Sequence, residues 1–482
     1  MNVNLLGIVI LIAHWFIIVG FAIRVIMKRT SIGVSMAWLA VIASTPLLGA
    51  GFYLLFGEKR LGRRRAVRVA AYREKFEAWQ KAFRSNYGAE QMKLSENARP
   101  IQRQVEQLLG FPELAGNRIK LLDNFQTVFD ALVADIDAAQ YKCHLCFYIW
   151  HEHGRTTDVI EALIRAVGRG VDCRALVDAI GSKAFLRSAS ARRLREAGVH
   201  LTAALPTGIL RTLFVRRDLR NHRKIVIIDD KVAYIGSQNL VDPRYFKQNL
   251  GVGEWVDAVM RVTGPTAIAL DAVFSFDWSI ETENDCKIPD IPASRPKLEI
   301  GAIMQVVPSG PGLCPQAIYQ LLLTGIYAAR KQLTITTPYF VPDDSILTAL
   351  LSAAQRGVEV TLIVPAHNDS RLVRYASVAH FDDLMSAGVK IALFNAGLLH
   401  TKSLTIDDSM CVFGSVNLDM RSLWLNFEIS LFVYDPVVTG QIKDLQKTYL
   451  AQSHQLDPDV WQKRSARQRF AENTLRLLSP LL

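Results

Sequence analysis

The stretch NHRKIVIIDDKVAYIGSQNL (221–240) of this 482-residue chain is followed by a related stretch, LHTKSLTIDDSMCVFGSVNL, at 399–418. Both copies fit the pattern H-x-K-x4-D-x6-G-S-x-N. The matching residues are His222, Lys224, Asp229, Gly236, Ser237 and Asn239 in the first copy, and His400, Lys402, Asp407, Gly414, Ser415 and Asn417 in the second. Six identities at constant spacing indicate that the chain is built from two related halves.

Similarity between the halves extends beyond the motif. IEALIRAVGRGVDCRALV (160–177) corresponds to LTALLSAAQRGVEVTLIV (347–364), and LREAGV (194–199) corresponds to LMSAGV (384–389). Their periodicity predicts strands that alternate with helices before each motif. This alternation is typical of parallel βαβ units. We therefore expect an α/β fold with two duplicated lobes, each a mostly parallel sheet flanked by helices.

His and Lys stand two residues apart in each copy, immediately before an apolar run. On an extended strand, residues i and i+2 point to the same face, so His222 and Lys224 are expected to face one point. The same holds for His400 and Lys402. The Asp lies at an odd offset, at the turn before the next strand. We therefore expect Asp229 and its counterpart in the second copy to support the geometry of the site rather than to transfer protons.

Together the two copies supply two His, two Lys and two Asn without an obvious set of metal ligands, a composition that suits a phosphate. One imidazole can attack phosphorus to form a covalent intermediate. The other can protonate the departing alkoxide and then deprotonate the acceptor. Lysine and asparagine side chains can hold the non-bridging oxygens, where charge accumulates in the transition state. Since each half supplies one histidine, we expect a single site shared across a pseudo-two-fold interface.

Two long apolar segments, LLGIVILIAHWFIIVGFAI (5–23) and IGVSMAWLAVIASTPLLGAGFYLLF (32–56), precede the repeat and contain no Asp, Glu, Lys or Arg. Each is close to the roughly 20 residues that an apolar helix needs to cross a bilayer, so two transmembrane helices are expected. A cleaved signal peptide is the rival interpretation of the first segment, but no basic region precedes it and no small-residue cleavage site follows before Arg24. A shallow hairpin that does not fully cross the bilayer is the alternative for the pair.

A basic run, KRLGRRRAVRVAAYREK (59–75), follows the apolar segments and contributes to the net charge of +11. Such a run is attracted to anionic headgroups and favours a cytoplasmic location for the chain that follows. Arg24, Lys28 and Arg29 lie between the two apolar segments, where the same rule opposes that location. Further arginines either bind an anionic headgroup or form a solvated basic face; they are Arg211, Arg216, Arg217, Arg220 and Arg223.

These features divide the chain into four parts. We expect a two-helix membrane anchor (1–57), a basic juxtamembrane connector (58–115), a first lobe (116–298) and a second lobe (299–482). The Pro-rich segment KIPDIPASRPKL, which ends at residue 298, joins the lobes. The basic, amphipathic tail of the second lobe either lies on a membrane surface or caps that lobe.

The cysteines indicate reduced, mostly buried thiols rather than a metal site. They are Cys143, Cys146, Cys173, Cys286, Cys314 and Cys411. Cys143 and Cys146 form a C-x-x-C pair, but no second Cys/His pair stands at a zinc-site spacing. The cysteines therefore do not predict a metal site, and reduced thiols are consistent with a cytoplasmic domain.

The two motifs resemble the HKD motifs of the phospholipase D superfamily. With the apolar segments and the basic run, SGPG (309–312), TTPYFVP (336–342) and LDMRSLWLNFE (418–428) resemble bacterial cardiolipin synthases over essentially the whole chain. The resemblance implies a reaction in which two phosphatidylglycerol molecules give cardiolipin and glycerol through a phosphatidyl-histidine intermediate. It implies no metal or nucleotide, because a phosphodiester bond is exchanged. It also implies a protein of the bacterial inner membrane that binds anionic lipids.

The resemblance also suggests roles for individual residues. The family's active-site positions correspond to His222, Lys224, Asp229, His400, Lys402 and Asp407, together with Asn239 and Asn417. By analogy His222 is the nucleophile and His400 the acid/base. Superfamily members often place an acidic residue after the motif to orient a histidine, for which Glu254 and Glu428 are the candidates. Ser237 and Ser415 either contact phosphate or shape the turn.

Other functions use the same motifs. A nuclease would act on a phosphodiester and would suit the basic charge, but no interleaved aromatic and basic pattern is present and the apolar segments argue against nucleic acid as a partner. A hydrolytic phospholipase D would transfer the phosphatidyl group to water. A lipid-binding scaffold would not need two complete motifs. An oligomer is compatible with the sequence.

Overall fold

The computed structural model describes residues 2–28, 30, 32–58, 62–88, 94–206, 216, 218–282, 287–292, 300–312 and 314–476. The chain divides into two compact units. The anchor unit comprises residues 1–64 and 207–218, and the catalytic unit comprises residues 65–206 and 219–482.

The anchor unit contains three apolar helices: α1 (Asn2–Met27), α2 (Ile32–Ser44) and α3 (Pro46–Phe52), the last continued by a π-helical turn at Tyr53–Gly57. Among the described residues only α1 is long and apolar enough to cross a bilayer, over Gly7–Met27. The prediction of a second transmembrane helix is not confirmed, because the second apolar segment is broken at Thr45. Pro46 disfavours the helical conformation of the residue before it, and Thr45 has φ −141° and ψ 74°.

The first half of the catalytic unit begins with two helices that fall within the predicted connector. They are α4 (Arg63–Tyr87) and α5 (Ala98–Leu109). Then follow β1 (Leu114–Leu122), α6 (Phe125–Ala138), β2 (Lys142–Phe147), α7 (Thr156–Gly168), β3 (Asp172–Asp178), α8 (Lys183–Leu186), α9 (Ala189–Ala197), β4 (His200–Ala204), β5 (Ile225–Ile228), β6 (Val232–Gly236), β7 (Trp255–Val256), β8 (Val259–Thr263) and α10 (Pro265–Thr282). A short 3-10 helix, Gln248–Leu250, lies between β6 and β7.

The second half repeats this order. It consists of β9 (Ala302–Ser309), α11 (Ala317–Ala328), β10 (Gln332–Thr336), β11 (Phe340–Val341), α12 (Asp344–Gln355), β12 (Glu359–Pro365), α13 (Arg371–Val378), α14 (Phe381–Ser386), β13 (Lys390–Phe394), β14 (Leu398–Leu399), β15 (Ser403–Ile406), β16 (Met410–Gly414), β17 (Leu418–Asp419), α15 (Met420–Trp424), β18 (Glu428–Val433), α16 (Pro436–Ala451), β19 (Ser453–Gln455), α17 (Pro458–Gln462) and α18 (Ala466–Arg476).

One 15-stranded sheet runs through both halves, in the order β19-β13-β12-β10-β15-β16-β18-β9-β1-β8-β6-β5-β2-β3-β4. The halves meet where β1 pairs antiparallel with β9, with Leu114 opposite Met304 and Asn117 opposite Ala302. The order of equivalent strands on the two sides of this junction is mirrored. Each motif strand, β5 or β15, therefore lies well inside the sheet, with ordered neighbours on both sides.

The expectation of mostly parallel sheets needs correction, because the sheet is mixed. In each half only the βαβ part is parallel, namely β2-β3-β4 and β10-β12-β13. The two strands of each motif form an antiparallel hairpin. Asp229 and Asp230 turn the first hairpin with φ of 54° and 55°, the left-handed conformation that tight hairpin turns require. A connection this short can join only antiparallel strands.

Helices cover both faces of the sheet and enclose a large apolar core. The long helix α10 is buried along most of its length. Helix α4 is packed rather than free, since the rings of Phe76 and Phe111 lie 6.2 Å apart and the indole of Trp79 donates to the Pro289 carbonyl. The described part of the tail packs on the second half. There Arg464 bonds Glu472 and Asp382 at 2.9 and 2.6 Å, which favours the capping alternative.

Candidate active site

The two motif histidines follow the same local design. His222 and Lys224 precede β5, whose four residues are all buried, and His400 and Lys402 precede β15, which is buried in the same way. Lys224 Nζ donates to the carbonyl of His222 at 2.7 Å, and Lys402 Nζ donates to the carbonyl of His400 at 2.5 Å. Each lysine thus bonds the backbone of the histidine two residues earlier, and its charge also acts on the ring of that histidine.

Short pairings between the halves bring the two histidines to one site. The amide of His222 donates to the carbonyl of Phe427 at 2.8 Å, and the amide of His400 donates to the carbonyl of Val256 at 2.8 Å. The second pairing forms a small parallel ladder between β7 and β14. The charge of Lys402 acts on His222, and that of Lys224 acts on His400. The structure thus unites both motifs in one site.

Each histidine is held by a carboxylate from the other half. His222 Nδ1 lies 2.8 and 2.9 Å from the two carboxylate oxygens of Glu428. His400 Nδ1 lies 2.6 Å from Oδ1 of Asp257. Both carboxylates are buried. Because a carboxylate accepts a proton from Nδ1–H, each ring is set in the tautomer whose Nε2 carries the lone pair.

Glu254 does not orient a histidine. Its side chain is exposed, and it takes part in the pairing of the halves through its carbonyl, which accepts from the amide of Leu398 at 2.9 Å. Asp257 takes the orienting role that was predicted for Glu254. The sequence carries a signal for it, since WVDAVM and NFEISL both place an acid directly before an alternating apolar strand.

The motif serines support the carboxylates. Ser237 Oγ donates to Asp257 at 2.5 Å, and Ser415 Oγ donates to Glu428 at 2.6 Å. Each hydroxyl also accepts a backbone N–H from the strand that follows the acid, from Ala258 at 3.1 Å and Ile429 at 2.9 Å. Of the two roles considered for these serines, the geometry favours shaping the site over contact with phosphate.

The motif asparagines are buried beside the histidines. The amide oxygen of Asn239 accepts from the backbone of Ile149 at 3.0 Å, which leaves its NH2 group as the part that can donate to a ligand. Asn417 Nδ2 donates to Asp419 at 3.1 Å, while its buried Oδ1 has no partner among the described residues. Aromatic rings also pack against the histidines. The ring centroids of Tyr148 and His222 lie 4.9 Å apart, and those of Trp255 and His400 lie 4.4 Å apart.

Asp229 and Asp407 lie at the opposite ends of the motif strands from the histidines. Asp229 accepts the backbone N–H groups of residues 140–142 at 2.8–2.9 Å. Asp407 accepts the backbone N–H groups of residues 330–332 and a hydrogen bond from the side-chain Nδ2 of Asn97. The structure therefore does not bring these carboxylates to the active site, and their position corrects the assignment carried over from the family motif. They cap the ends of β2 and β10 instead.

The described arginines of the cluster before the first motif form internal ion pairs. Arg216 bonds Asp218 at 2.7 Å, and Arg220 bonds the buried Asp178 at 3.3 Å. Arg223 bonds Asp277 and also donates to the carbonyl of Glu428 at 3.0 Å. These three do not form a solvated basic face. The other two, Arg211 and Arg217, lie outside the described residues, as does Cys286.

Comparison with known proteins gives the family. A family model described as "Cardiolipin synthase, PLD-like domain" matches residues 132–272 and 322–449, one segment in each half. A model described as "Phospholipase_D-nuclease N-terminal" matches residues 16–58. The chain is 44% identical to Cardiolipin synthase A of Yersinia pseudotuberculosis serotype O:3 (strain YPIII) over 97% of both chains. The same values hold for Cardiolipin synthase A of Yersinia pestis bv. Antiqua (strain Angola).

The chain belongs to the cardiolipin synthase family. This confirms the resemblance predicted from the two motifs. The fold also matches the crystal structure of phosphatidylserine synthase from Haemophilus influenzae Rd KW20, with a TM-score of 0.59 and 15% identity over 79% of this chain and 99% of that chain. At that identity the match shows a shared fold alone.

Burial governs the protonation of the histidines and lysines in this active site. It lowers the pKa of His222 and of His400 to about 4, against the opposing effect of each carboxylate partner. Burial also lowers the pKa of Lys224 to about 8 and that of Lys402 well below its usual value. Burial alone would raise the pKa of Glu428, but its histidine and lysine neighbours outweigh burial and hold it lowered. At these pKa values both imidazoles are neutral at pH 7.

These shifts predict a loss of stability in acid. The unfolded histidines bind protons below a pKa of about 6.5, whereas His222 and His400 in the folded site do so only near 4. Between these values the unfolded state binds more protons, so the free energy of unfolding falls as the pH falls through this window. Denaturant unfolding in detergent at about pH 7.5 and about pH 4.5 measures the effect. The His222→Gln/His400→Gln double variant should lose a large part of this pH dependence, and an unchanged slope would contradict the assignment.

Replacing Asp229 should affect stability more than chemistry. Two of the three N–H groups that Asp229 accepts are exposed and can bond water when the carboxylate is lost. Asp229→Ala is therefore expected to lower the free energy of unfolding by the contribution of one hydrogen bond to a charged acceptor, about 1.5–3 kcal/mol. Asp229→Asn should lose less, because it keeps one acceptor oxygen and tolerates the left-handed backbone. Activity per folded molecule should stay within about three-fold of wild type for Asp229→Asn, since a role through stability leaves transition-state binding intact. A far larger loss of kcat in a fully folded Asn variant would place this carboxylate in the reaction.

Proposed function

We propose that this chain transfers the phosphatidyl group of one phosphatidylglycerol to a second, giving cardiolipin and glycerol. The observation that carries the proposal is the pair of buried histidines, each anchored at Nδ1 by a carboxylate from the other half. Nucleophilic attack and acid/base catalysis need two such groups on opposite sides of one phosphate. Membership of the cardiolipin synthase family supports phosphatidylglycerol as the substrate.

In the first step Nε2 of His222 attacks phosphorus and the bond from phosphorus to the glycerol oxygen breaks. His400 gives its Nε2 proton to that oxygen, so glycerol leaves neutral. The negative phosphodiester favours the protonated form of His400 when it binds, because an opposite charge raises the pKa of an imidazole. Asp257 stabilises the imidazolium at Nδ1.

In the second step His400, now neutral, accepts the proton of the primary hydroxyl of a second phosphatidylglycerol. The hydroxyl oxygen attacks phosphorus and the bond from phosphorus to Nε2 of His222 breaks, which releases cardiolipin. Lys224 and Lys402 hold the non-bridging oxygens in both steps. One phosphodiester bond is exchanged for another, so the proposed reaction needs neither a nucleotide nor a metal ion.

The choice of His222 as nucleophile follows the family analogy. The surroundings of the two histidines are nearly equivalent, since each has a carboxylate, a serine behind that carboxylate and a lysine two residues later. The basic residues of α4 support a location of the catalytic unit on the cytoplasmic side of the inner membrane, next to anionic lipid.

The test uses the full chain in detergent with phosphatidylglycerol as the only lipid and without added nucleotide or metal. Cardiolipin, glycerol and phosphatidic acid are measured together. Equal amounts of cardiolipin and glycerol are expected. Phosphatidic acid without cardiolipin would identify a hydrolase and overturn the proposed acceptor, and the absence of all products would overturn phosphatidylglycerol as the donor.

A further inference from the structure

An ion pair joins the C-terminal end of α1 to the segment that follows α3. Arg24, near the end of α1, bonds the buried carboxylate of Glu58 through Nε at 2.6 Å and through a second guanidinium nitrogen at 3.0 Å. If α2 and α3 formed one straight return helix, its rise of about 1.5 Å per residue would carry Glu58 more than about 30 Å from Arg24. The chain therefore turns back before it reaches the start of α1.

Side-chain packing shows the same reversal of the chain after α2. The buried ring of Tyr53, just after α3, lies 6.0 Å from the ring of Phe21 in α1 and 5.3 Å from the ring of Trp38 in α2. Val25 and Ile42 belong to the same buried cluster. Residue 53 thus lies level with the later part of α1 and the middle of α2. Helix α3 runs in the opposite direction to α2.

The turn between α2 and α3 allows a very close approach. A Cβ at Gly49 would lie 2.7 Å from the carbonyl oxygen of Val41, so a side chain there would separate the two helices. The polar groups of the turn bond one another, because the amide of Thr45 and the hydroxyls of Ser44 and Thr45 all donate to the carbonyl of Val41, at 3.0–3.1 Å. Such internal bonding is what a turn within hydrocarbon requires.

We propose that α1 crosses the membrane once and that α2 and α3 form a re-entrant hairpin inserted in one leaflet. Helix α2 has 13 residues and rises about 20 Å, less than the roughly 30 Å of a bilayer core. The hairpin would pack against the lipid acyl chains of that leaflet. The apolar side chains that would face them are exposed along the hairpin; they are Ile32, Leu47, Leu48, Phe52 and Phe56.

The distribution of basic residues supports a single crossing. In this arrangement Arg24 and Lys28 lie at the same face of the membrane as Glu58, where the basic run of the sequence begins. With two crossings they would be divided between both faces, the conflict that the sequence alone presents.

The test is cysteine labelling of the full chain in spheroplasts with a membrane-impermeant maleimide, and it is independent of the proposed reaction. The background is Cys286→Ser/Cys314→Ser, because the other four cysteines are buried. Single reporters are Asn2→Cys, Lys28→Cys, Ser44→Cys and Glu74→Cys. We expect Asn2→Cys to react in intact spheroplasts and Lys28→Cys and Glu74→Cys to react only after permeabilisation. Ser44→Cys, at the turn, should react only after detergent solubilisation.

Other labelling patterns overturn the proposal. If Lys28→Cys alone reacts in intact spheroplasts while Asn2→Cys and Glu74→Cys share the other face, the chain crosses twice. If Asn2→Cys reacts together with Lys28→Cys and Glu74→Cys, the chain does not cross. An Arg24→Glu/Glu58→Arg exchange provides a second test, since it should keep the wild-type labelling pattern, whereas Arg24→Glu alone should expose the turn reporter to labelling before solubilisation.

Discussion

The His222→Ala variant should form no cardiolipin from phosphatidylglycerol, with a loss of at least about 10⁴-fold in turnover, as expected when a nucleophile is removed. The loss should persist with a phosphatidyl ester of p-nitrophenol. That leaving group departs without a proton, so it removes the need for a general acid but not the need for a nucleophile. Release of nitrophenol, followed in a stopped-flow spectrometer, and cardiolipin formation, followed by mass spectrometry, measure the two losses.

A suitable control is His454→Ala, which removes an exposed histidine on β19. It should keep both activities and shows that loss of a histidine as such is harmless. Rapid nitrophenol release by folded His222→Ala would mean that another group attacks phosphorus. That result would exclude His222 as the nucleophile.

The His400→Ala variant should separate the first step of the reaction from the second. With phosphatidylglycerol the variant is expected to lose about 10²–10⁴-fold in turnover, the usual contribution of a general acid/base. With the nitrophenyl ester it should release close to one nitrophenol per enzyme in a burst and then stop. The first step no longer needs an acid, but the second step still needs His400 to accept the proton of the incoming hydroxyl.

The stalled enzyme should carry a phosphatidyl group on His222, detectable as an added mass on the peptide that contains it. Steady multiple turnover by His400→Ala with the nitrophenyl ester would contradict its role as base. If the burst appears in His222→Ala instead, the nucleophile and the acid/base exchange places, and the family analogy is wrong on that point.

The sequence predicted the shared site because duplication is visible in the chain itself. Two motifs with identical spacing and similar flanking helices require two equivalent strands, and the i, i+2 rule places His222 beside Lys224. The carboxylate partners were harder to predict. A loop that includes the 3-10 helix Gln248–Leu250 separates Asn239 from Asp257, whereas Asn417 and Glu428 are much closer in the sequence. The expectation of an acid after each motif therefore found Glu428, but in the first half it selected Glu254 instead of Asp257.

Local sequence patterns could not predict that each half supplies the carboxylate that holds the histidine of the other half. It depends on Phe427 pairing with His222 and on Val256 pairing with His400, which are contacts between segments far apart in the chain. The predicted second membrane crossing is not confirmed, for a related reason. Hydropathy records the length of an apolar run and not its direction, and the break at Thr45 reverses the chain inside that run.

The crossed carboxylates bear on how such a protein could arise. In a symmetric dimer of a one-motif ancestor, each subunit would lend its acid to the histidine of its partner, as isologous interfaces require. Joining the two copies in one gene keeps that exchange, because Asp257 still serves His400 and Glu428 still serves His222. It also lets the two copies diverge. One can specialise in attacking phosphorus and the other in moving protons, a division of labour that identical subunits cannot inherit.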